Sequence, residues 1–174
     1  MRLLVSKDGI VEIESFPFAA AAKDFNRESS KLTIALDSQS VSSQDLFLRH
    51  KTTHRTAYES ARFRSGVGSA FGEPFDVLLF NERHEITECC IANVAVLSVN
   101  QDCWITPPVS SGLLPGVMRR HLLLNGLENL PLIERVVTVA DLKQAVDVSA
   151  LLIKELIYNG INAVNSGGSS SRLL

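Results

Sequence analysis

The sequence lacks the features of a membrane protein, a nucleic-acid-binding protein or a disulfide-rich secreted protein. No apolar run approaches the roughly 20 residues that span a bilayer, and the opening MRLLVSKDG is too short and too soon polar for a signal peptide. The net charge is only -2, so no strong positive field attracts nucleic acid or anionic membranes. The three cysteines, two of them adjacent, suit free thiols in a reducing compartment. We therefore expect a cytoplasmic protein.

The length and composition are those of a globular protein with one domain. The chain has 174 residues, of which 45% are hydrophobic and 21% are charged, and it contains no internal repeat. The final SGGSSSRLL is small and polar, so we expect residues 166–174 to form a flexible tail. The domain would then span residues 1–165.

The predicted elements mix strands and helices, with a predominance of antiparallel neighbours. Short β-branched or aromatic runs between turn residues predict strands, and those between residues 75 and 106 are typical of a meander. The predicted strands are residues 3–5 and 10–13, around the turn Lys7-Asp8-Gly9, and residues 32–36, 46–48, 75–81, 93–99, 103–106, 132–137 and 156–159. The predicted helices are residues 53–64, 117–125 and 141–155. Thr52 or Thr53 would cap the first helix, and Ser65 and Gly66 would end it. Gly126 would end the second helix. Residues 17–31, 38–43 and 107–116 are predicted loops.

Lys51, in RHKTTHRTAYESAR, is the first candidate for chemistry. It follows a run predicted to be a strand and precedes a predicted helix. A lysine at a half-buried strand end loses hydration, which lowers the pKa of its amine and makes it nucleophilic enough to form a Schiff base. Considered alone, however, Lys51 fits a surface lysine better, because lysine is almost never fully buried without a partner.

The segment SSGLLPGVMRR is the second candidate, since a glycine-bearing loop leads directly into a predicted helix. The free N–H groups of Val117 and Met118, together with the helix dipole, would suit a phosphate group. The segment matches neither the P-loop nor the dinucleotide pattern. Considered alone, it fits better a tight loop-to-helix turn that uses Pro115 and Gly116 for its geometry.

The third candidate is ITECCIANV, in which Glu88 precedes Cys89 and Cys90. On a strand the two cysteines would point to opposite faces, and no histidine or cysteine lies at zinc-finger spacing. This arrangement favours packing residues over metal ligands or a redox pair. Glu88 is either an edge residue facing water or a site residue with a cationic partner, and the residues alone leave both interpretations open.

The order of these three motifs resembles the fold type IV, or class IV, pyridoxal-phosphate enzymes. That family includes branched-chain aminotransferases, D-amino acid aminotransferases and aminodeoxychorismate lyases. FLRHKTTHRTAYESAR and TECCIANV are most similar to the aminodeoxychorismate lyases, and the resemblance covers residues 3–164. It implies an α/β (mixed α+β) fold, the large C-terminal cofactor domain of this fold type, with a barrel-like mixed sheet and flanking helices.

The resemblance also implies a role for each matched residue. Lys51 would form a Schiff base with the cofactor, pyridoxal 5'-phosphate. Glu88 would bond to the pyridine nitrogen and keep it protonated, so that the ring can accept electrons. Val117 and Met118 would donate backbone N–H groups to the phosphate, and Asn93 would give structural support.

Asn159 and Gly160, in LIYNGINAV, fall where the family places a second loop that contacts the phosphate. The implied lyase reaction eliminates pyruvate from 4-amino-4-deoxychorismate and leaves 4-aminobenzoate for folate synthesis. Lys51 would remove the proton from the amine-bearing carbon. In an aminotransferase, the same lysine would move that proton to the cofactor.

Some positions depart from the family pattern. Family members normally carry a smaller N-terminal domain that supplies an arginine to the phosphate, and Met1 lies where that domain would already have ended. The family often has an aromatic hydroxyl soon after the lysine, whereas here Thr56 stands nearest to that position and Tyr58 lies two residues further on. The expected protein is thus a lyase for a small-molecule substrate, either a homodimer or paired with a partner that supplies the small domain. The alternatives are a class IV aminotransferase and a truncated, inactive scaffold domain.

Overall fold

A computed structural model describes residues 2–15, 32–67, 74–144, 148–151 and 161–164. The chain divides into two compact units, Met1–Ser30 and Lys31–Leu174. Several predictions lie outside the described residues: the loop at 17–31, the strand at 156–159, the tail at 166–174, and the site residues Asn159 and Gly160. No helix in the described part of the chain is long and apolar enough to cross a membrane.

The first unit contains a β-hairpin, as the sequence predicted. Strand β1 (Arg2–Val5) pairs antiparallel with strand β2 (Val11–Glu14), and Leu3 lies opposite Ile13. The turn closes through a hydrogen bond from the N–H of Gly9 to the carbonyl of Ser6 over 3.0 Å. Gly9 has a φ of 80°, a value that glycine adopts without steric cost.

The second unit contains eight strands, three α-helices and two short 3₁₀ turns among its described residues. The strands are β3 (Leu32–Leu36), β4 (Asp76–Phe80), β5 (Ile86–Cys89), β6 (Asn93–Leu97), β7 (Trp104–Thr106), β8 (Leu132–Glu134), β9 (Val148–Leu151) and β10 (Ile161–Val164). The helices are α1 (Leu46–Arg49), α2 (Thr56–Arg64) and α3 (Val117–Asn125), and the 3₁₀ turns cover Val109–Ser111 and Asp141–Gln144.

These strands form two four-stranded sheets. The first has the order β10-β3-β4-β5 and the second the order β8-β7-β6-β9. Each sheet combines parallel and antiparallel pairs, so the mixed α and β fold class is confirmed. Neither sheet closes on itself in the described residues, and the expected barrel is not confirmed. The predicted meander is also wrong in part, because β4 and β6 belong to different sheets and the strand that pairs with β4, β5, was not predicted.

The first sheet is buried on both faces, since the side chains of β4 alternate between two core clusters. Leu78 packs with Ile86, Cys89 and residues of the second sheet. Its neighbours Val77 and Leu79 belong to a second cluster, whose other members include Leu48, Tyr58, Ala61 and Cys90 from the helices and from the turn after β5. This alternation follows from the two-residue period of a strand. It places β4 between the two clusters.

Two predicted elements are wrong near the middle of the chain. Residues 46–48 belong to helix α1 rather than to a strand, because the side chain of Asp45 accepts a hydrogen bond from the N–H of Phe47 over 2.8 Å and caps the helix. Helix α2 begins at Thr56 rather than at residue 53, and no side chain caps it. Its end at Ser65 and Gly66 is as predicted, and Gly66 has a φ of 67°.

The predicted helix at residues 141–155 is also wrong in its described part. A 3₁₀ turn covers Asp141–Gln144, and strand β9 then pairs antiparallel with β6, with Val148 opposite Val96. Backbone pairing with a buried strand therefore overrides the local helical pattern. By contrast, α3 begins at Val117 and ends before Gly126 as predicted, and Gly126 has a φ of 81°.

Candidate active site

A cavity of about 450 Å³ in the second unit collects four of the six predicted site residues. One wall is the segment between α1 and α2, which contains Lys51. A second wall is the end of β5 and the turn after it, with Glu88. A third is the start of α3, with Val117 and Met118. The fold thus brings together side chains and backbone groups that are far apart in the sequence.

Glu88 is held by hydrogen bonds on both oxygens of its carboxylate. The hydroxyl of Tyr58 donates to Oε1 over 2.7 Å, and Nδ2 of Asn93 donates to Oε2 over 2.9 Å. Asn93 Nδ2 also donates to the carbonyl of Leu114 over 2.8 Å. Glu88 is 4% exposed, which excludes the interpretation of an edge residue facing water. The supporting role expected for Asn93 corresponds to these contacts.

The electrostatics of Glu88 are set by burial and by its donors. Burial raises the pKa of its carboxyl from 4.5 to about 7, because the charged form loses hydration. The hydrogen bond from Tyr58 and the positive charges of Lys51 and Arg55 act in the opposite direction. A carboxyl with a pKa near neutrality, inside a cavity, is typical of a functional site.

Arg55 and Tyr58 support this carboxylate and were not predicted as site residues. The guanidinium of Arg55 lies 4.4 Å from the centre of the Tyr58 ring, and its Nη2 donates to the carbonyl of Cys90 over 2.6 Å. Burial raises the pKa of the Tyr58 hydroxyl above its ordinary value, and the charge of Glu88 adds to this effect. The spacing of three residues between Arg55 and Tyr58 was the available signal, since it places them on one side of a helical turn.

Lys51 lies in the segment after α1 and is exposed, although it lines the cavity. The sequence predicted a lysine at a strand end, but the preceding element is a helix, so that local argument for its nucleophilicity is wrong. What the structure adds is proximity: the charge of Lys51 lowers the pKa of Glu88. An amine and a buried carboxylate therefore face the same cavity.

The start of α3 presents unpaired backbone donors to the cavity. The N–H groups of Val117 and Met118 donate to no acceptor among the described residues. The backbone here also packs closely, because a Cβ atom at Gly116 would lie 2.1 Å from Oδ1 of Asn93. The first turn of this helix can therefore bind an anion with N–H groups and with the helix dipole.

Cys89 and Cys90 pack in the core, as the sequence predicted. They belong to different clusters, and both are at most 2% exposed. Burial raises the pKa of the Cys89 thiol well above its ordinary value and that of Cys90 to about 12. Both are therefore thiols at neutral pH rather than nucleophilic thiolates.

A polar network joins the loops that precede two of the cavity walls, and sequence reasoning missed it. Glu82 accepts hydrogen bonds from the hydroxyl and the N–H of Ser43, at 2.6 and 2.8 Å. Arg83 pairs with Glu85 over 2.7 Å, and Glu85 accepts from the hydroxyl of Ser111 over 3.1 Å. These contacts hold the loop before α1 and the loop before α3 to the hairpin between β4 and β5.

Comparison with known proteins places this geometry in a family. The family model described as "Amino-transferase class IV" matches residues 2–151, which is most of the chain. The chain belongs to the class IV aminotransferase family. The fold agrees, since the protein titled "Putative amino-acid aminotransferase" from Mesorhizobium loti matches 94% of this chain, with a TM-score of 0.67 and 29% sequence identity. This chain covers 70% of that structure.

Two curated proteins are similar in sequence to this chain. "Putative aminodeoxychorismate lyase" of Schizosaccharomyces pombe is 35% identical over 127 residues, which cover 72% of this chain and 51% of that protein. Aminodeoxychorismate lyase of Saccharomyces cerevisiae is 31% identical over 165 residues, which cover 73% of this chain and 42% of that protein. The chain therefore spans about half or less of the length of these curated relatives.

A further solved structure supports the fold alone. The 4-amino-4-deoxychorismate lyase from Pseudomonas aeruginosa has a TM-score of 0.63 at 19% identity, and the match covers 78% of this chain and 48% of that structure. This chain and that structure thus share a fold.

Proposed function

We propose that this chain is a pyridoxal-phosphate-dependent lyase of the aminodeoxychorismate type. It would eliminate pyruvate from 4-amino-4-deoxychorismate and form 4-aminobenzoate for folate synthesis. The two curated relatives, at 35% and 31% identity, both carry the name of this activity. The proposal extends that activity to a chain that matches only part of each relative.

The observation that carries the proposal is the placement of Glu88. Its buried carboxylate, with both oxygens held, shares a cavity with the amine of Lys51 and with the free N–H groups of α3. A pyridine nitrogen, an aldehyde and a phosphate need these three kinds of group. The residues present therefore fit pyridoxal phosphate, with Glu88 at the ring nitrogen, Lys51 at the aldehyde carbon, and Val117 and Met118 at the phosphate. We also propose Asn159 and Gly160 as phosphate contacts.

When bound, pyridoxal phosphate supplies an electron sink that stabilises negative charge on the substrate carbon next to the amine. Glu88 would hold the proton of the ring nitrogen, because a carboxylate beside a cation is stabilised in its charged form. Lys51, which is exposed and lines the cavity, would take the proton from the amine-bearing carbon as a general base. The N–H groups of α3 would orient the phosphate end.

The proposed substrate is a small molecule, and the proposed active form is a homodimer or a complex with a partner polypeptide. We also place the protein in the cytoplasm. Cys89, Cys90 and Cys103 are free thiols, and this state supports a reducing compartment.

A second candidate function is amino transfer. The relative with 29% identity over 94% of this chain is named as an amino-acid aminotransferase, and the same cavity residues would serve that reaction. The two reactions differ after the proton has left the substrate carbon. An inert scaffold is the third outcome that the experiments must separate.

Cofactor attachment is tested first. The purified chain is mixed with pyridoxal phosphate and reduced with borohydride, and the labelled peptide is mapped by mass spectrometry. We expect label on Lys51, none in Lys51→Ala, and unchanged labelling of Lys51 in Lys7→Ala, which removes another exposed lysine. Label spread evenly over surface lysines would reject the cofactor site.

The reaction is tested next, with the purified chain and 4-amino-4-deoxychorismate. Release of 4-aminobenzoate and pyruvate identifies the lyase, whereas transfer of an amine to a 2-oxo acid acceptor identifies the aminotransferase. A chain that labels on Lys51 but turns over neither substrate is a scaffold. Lys51→Arg is the control, because it keeps the positive charge and removes the reactive amine.

A further inference from the structure

Tyr58 connects helix α2 to the carboxylate in the cavity. Its hydroxyl donates to Oε1 of Glu88 over 2.7 Å, although the two residues are 30 positions apart in the chain. Tyr58 is 6% exposed, and burial raises the pKa of its hydroxyl above the ordinary value. The hydroxyl therefore remains a donor at neutral pH.

The ring of Tyr58 is fixed by its neighbours. The guanidinium of Arg55 stacks 4.4 Å from the ring centre and donates to the carbonyl of Cys90 over 2.6 Å. The thiol of Cys90 donates in turn to the carbonyl of Tyr58 over 3.5 Å. These contacts tie Arg55, Tyr58 and Cys90 into one unit adjoining Glu88. The hydroxyl consequently reaches the carboxylate at a fixed position.

Asn93 completes the restraint from the other side. Its Nδ2 donates to Oε2, so the two donors together define the plane of the Glu88 carboxylate. Each carboxylate oxygen has two acceptor sites, and the donors from Tyr58, Asn93 and the backbone of Leu114 use three of these four. Acceptor capacity is therefore left for a donor in the cavity that Glu88 lines.

We propose that Tyr58 is a positioning residue, which orients the carboxylate of Glu88 toward a protonated ring nitrogen bound in the cavity. This inference rests on the proposed function, in which that nitrogen belongs to the pyridine ring. A hydroxyl that donates to a carboxylate favours the charged form of that carboxylate. Tyr58 thus both aims Glu88 and lowers the pKa of its carboxyl, and Arg55 acts through the ring of Tyr58.

The test uses Tyr58→Phe, which keeps the ring and the Arg55 stack but removes the hydroxyl. The first measurement is a ¹³C NMR titration of the Glu88 side-chain carboxyl in the protein without cofactor. The charged or titratable groups that face this carboxyl, namely Lys51, Arg55, Cys89 and Cys90, are unchanged in the variant. We expect the titration midpoint to rise by about one pH unit.

The second measurement is the affinity for pyridoxal phosphate as a function of pH. In Tyr58→Phe we expect affinity to fall about fivefold at pH 7 and about tenfold below pH 6, and to recover at higher pH, where Glu88 is charged in both proteins. In a Glu88→Gln background, Tyr58→Phe should have no further effect on affinity, because the carboxylate through which it acts is absent.

A matched control removes a different buried hydroxyl, that of Thr87 in β5, the strand that carries Glu88. The Oγ1 of Thr87 is buried and has no hydrogen-bond partner among the described residues. Thr87→Val should therefore leave the Glu88 midpoint and the pH profile of cofactor affinity unchanged. A shift equal to that of Tyr58→Phe would mean that any loss of a buried hydroxyl perturbs the site, and would overturn the assignment.

The outcomes separate this inference from the proposed function. If the Glu88 midpoint is unmoved in Tyr58→Phe while the thermal midpoint falls, Tyr58 only packs and the inference is wrong. If the midpoint rises but even the unaltered protein binds no pyridoxal phosphate, the Tyr58–Glu88 contact stands and the proposed function fails. If the variant does not fold, the ¹³Cζ resonance of Tyr58 is measured in the unaltered protein across the pH range in which Glu88 titrates. We expect its chemical shift to change with the same midpoint as Glu88. A resonance that does not change would overturn the inference.

Discussion

Gly116 and Asn93 are in such close contact that a Cβ atom at position 116 would lie 2.1 Å from Oδ1 of the asparagine. Asn93 cannot move freely, because its Nδ2 bonds both Glu88 and the carbonyl of Leu114. We therefore expect Gly116→Ala to displace Asn93 and to lower the free energy of unfolding by about 1–3 kcal/mol. It should also weaken pyridoxal phosphate binding, since Asn93 orients Glu88. Urea denaturation and a cofactor titration measure the two effects.

The cause of this effect can be isolated with a double-mutant cycle. If the clash with Asn93 is responsible, Gly116→Ala should cost much less stability in an Asn93→Ala background. The backbone at Gly116 has a φ of -64°, which alanine adopts without strain. If Gly116→Ala lowers the free energy of unfolding equally in the unaltered protein and in Asn93→Ala, the steric explanation is contradicted.

Gly112, in the loop before α3, is expected to be even less tolerant of a side chain. It has a φ of 97°, and a Cβ atom there would lie 2.5 Å from the Cα of Ser43. Because the obstacle is backbone, neither residue can turn away. We expect Gly112→Ala to destabilise the fold by more than about 2 kcal/mol in urea denaturation.

Gly66 provides the matched control for this prediction. Its φ of 67° is also in the left-handed region, but a Cβ atom there would meet nothing within 4 Å. Gly66→Ala should therefore cost only about 1 kcal/mol, the contribution of the backbone conformation alone. If the two alanine variants lose the same stability, the contact between Gly112 and Ser43 is not what limits this loop.

The reactivity of the three cysteines should follow their burial. Cys89 and Cys90 are 1% and 2% exposed, and burial raises the pKa of both thiols, that of Cys90 to about 12. Cys103 is only partly buried. We expect iodoacetamide at pH 8 to alkylate Cys103 first in the folded protein, and all three residues at similar rates in denaturing urea. Mass spectrometry of the alkylated peptides measures the three rates. Rapid modification of Cys90 in the folded protein would contradict this packing.

The elements that the sequence predicted correctly are those whose signals are local. The end of α3 at Gly126 and the hairpin turn at Gly9 each depend on a residue next to the element. Helix α1 was missed because it has only four residues, too few for a helical period to show. Strand β9 was missed because its pairing partner, β6, lies about 50 residues earlier in the chain.

The candidate site also has parts that the sequence predicted and parts that depend on long-range packing. The motifs around Lys51, Glu88 and Val117 were visible in the sequence, and the structure places them around one cavity. The state of Glu88 was not visible, because Tyr58, its donor, lies 30 residues away and is brought to it by the packing of α2 against β4 and the turn after β5. Sequence therefore identifies the groups of this site, whereas tertiary packing sets their pKa and orientation.

The buried carboxyl of Glu88 should give the protein a distinctive pH dependence of stability. Burial raises the pKa of Glu88 from 4.5 to about 7, so between these values the folded chain holds a proton that the unfolded chain has released. The contribution of this protonated carboxyl to the free energy of unfolding is full below about pH 4.5 and is lost as pH rises through about 7. Without cofactor, Glu88→Gln should therefore gain stability relative to the unaltered protein across this range, by at most about 3 kcal/mol.

Glu85 offers a control of opposite sign for this effect. Its hydrogen bonds from Arg83 and Asn81 lower the pKa of Glu85 to about 2, so its contribution to stability is present above pH 4.5 and is lost as pH falls toward 2. Urea denaturation of the unaltered protein and of both glutamine variants, at intervals from pH 3 to pH 8, measures the differences. Glu88→Gln should diverge from the unaltered protein as pH rises, and Glu85→Gln should converge with it as pH falls. A constant difference for Glu88→Gln from pH 4.5 to pH 8 would mean that this carboxyl is charged throughout, and that its burial does not control its protonation.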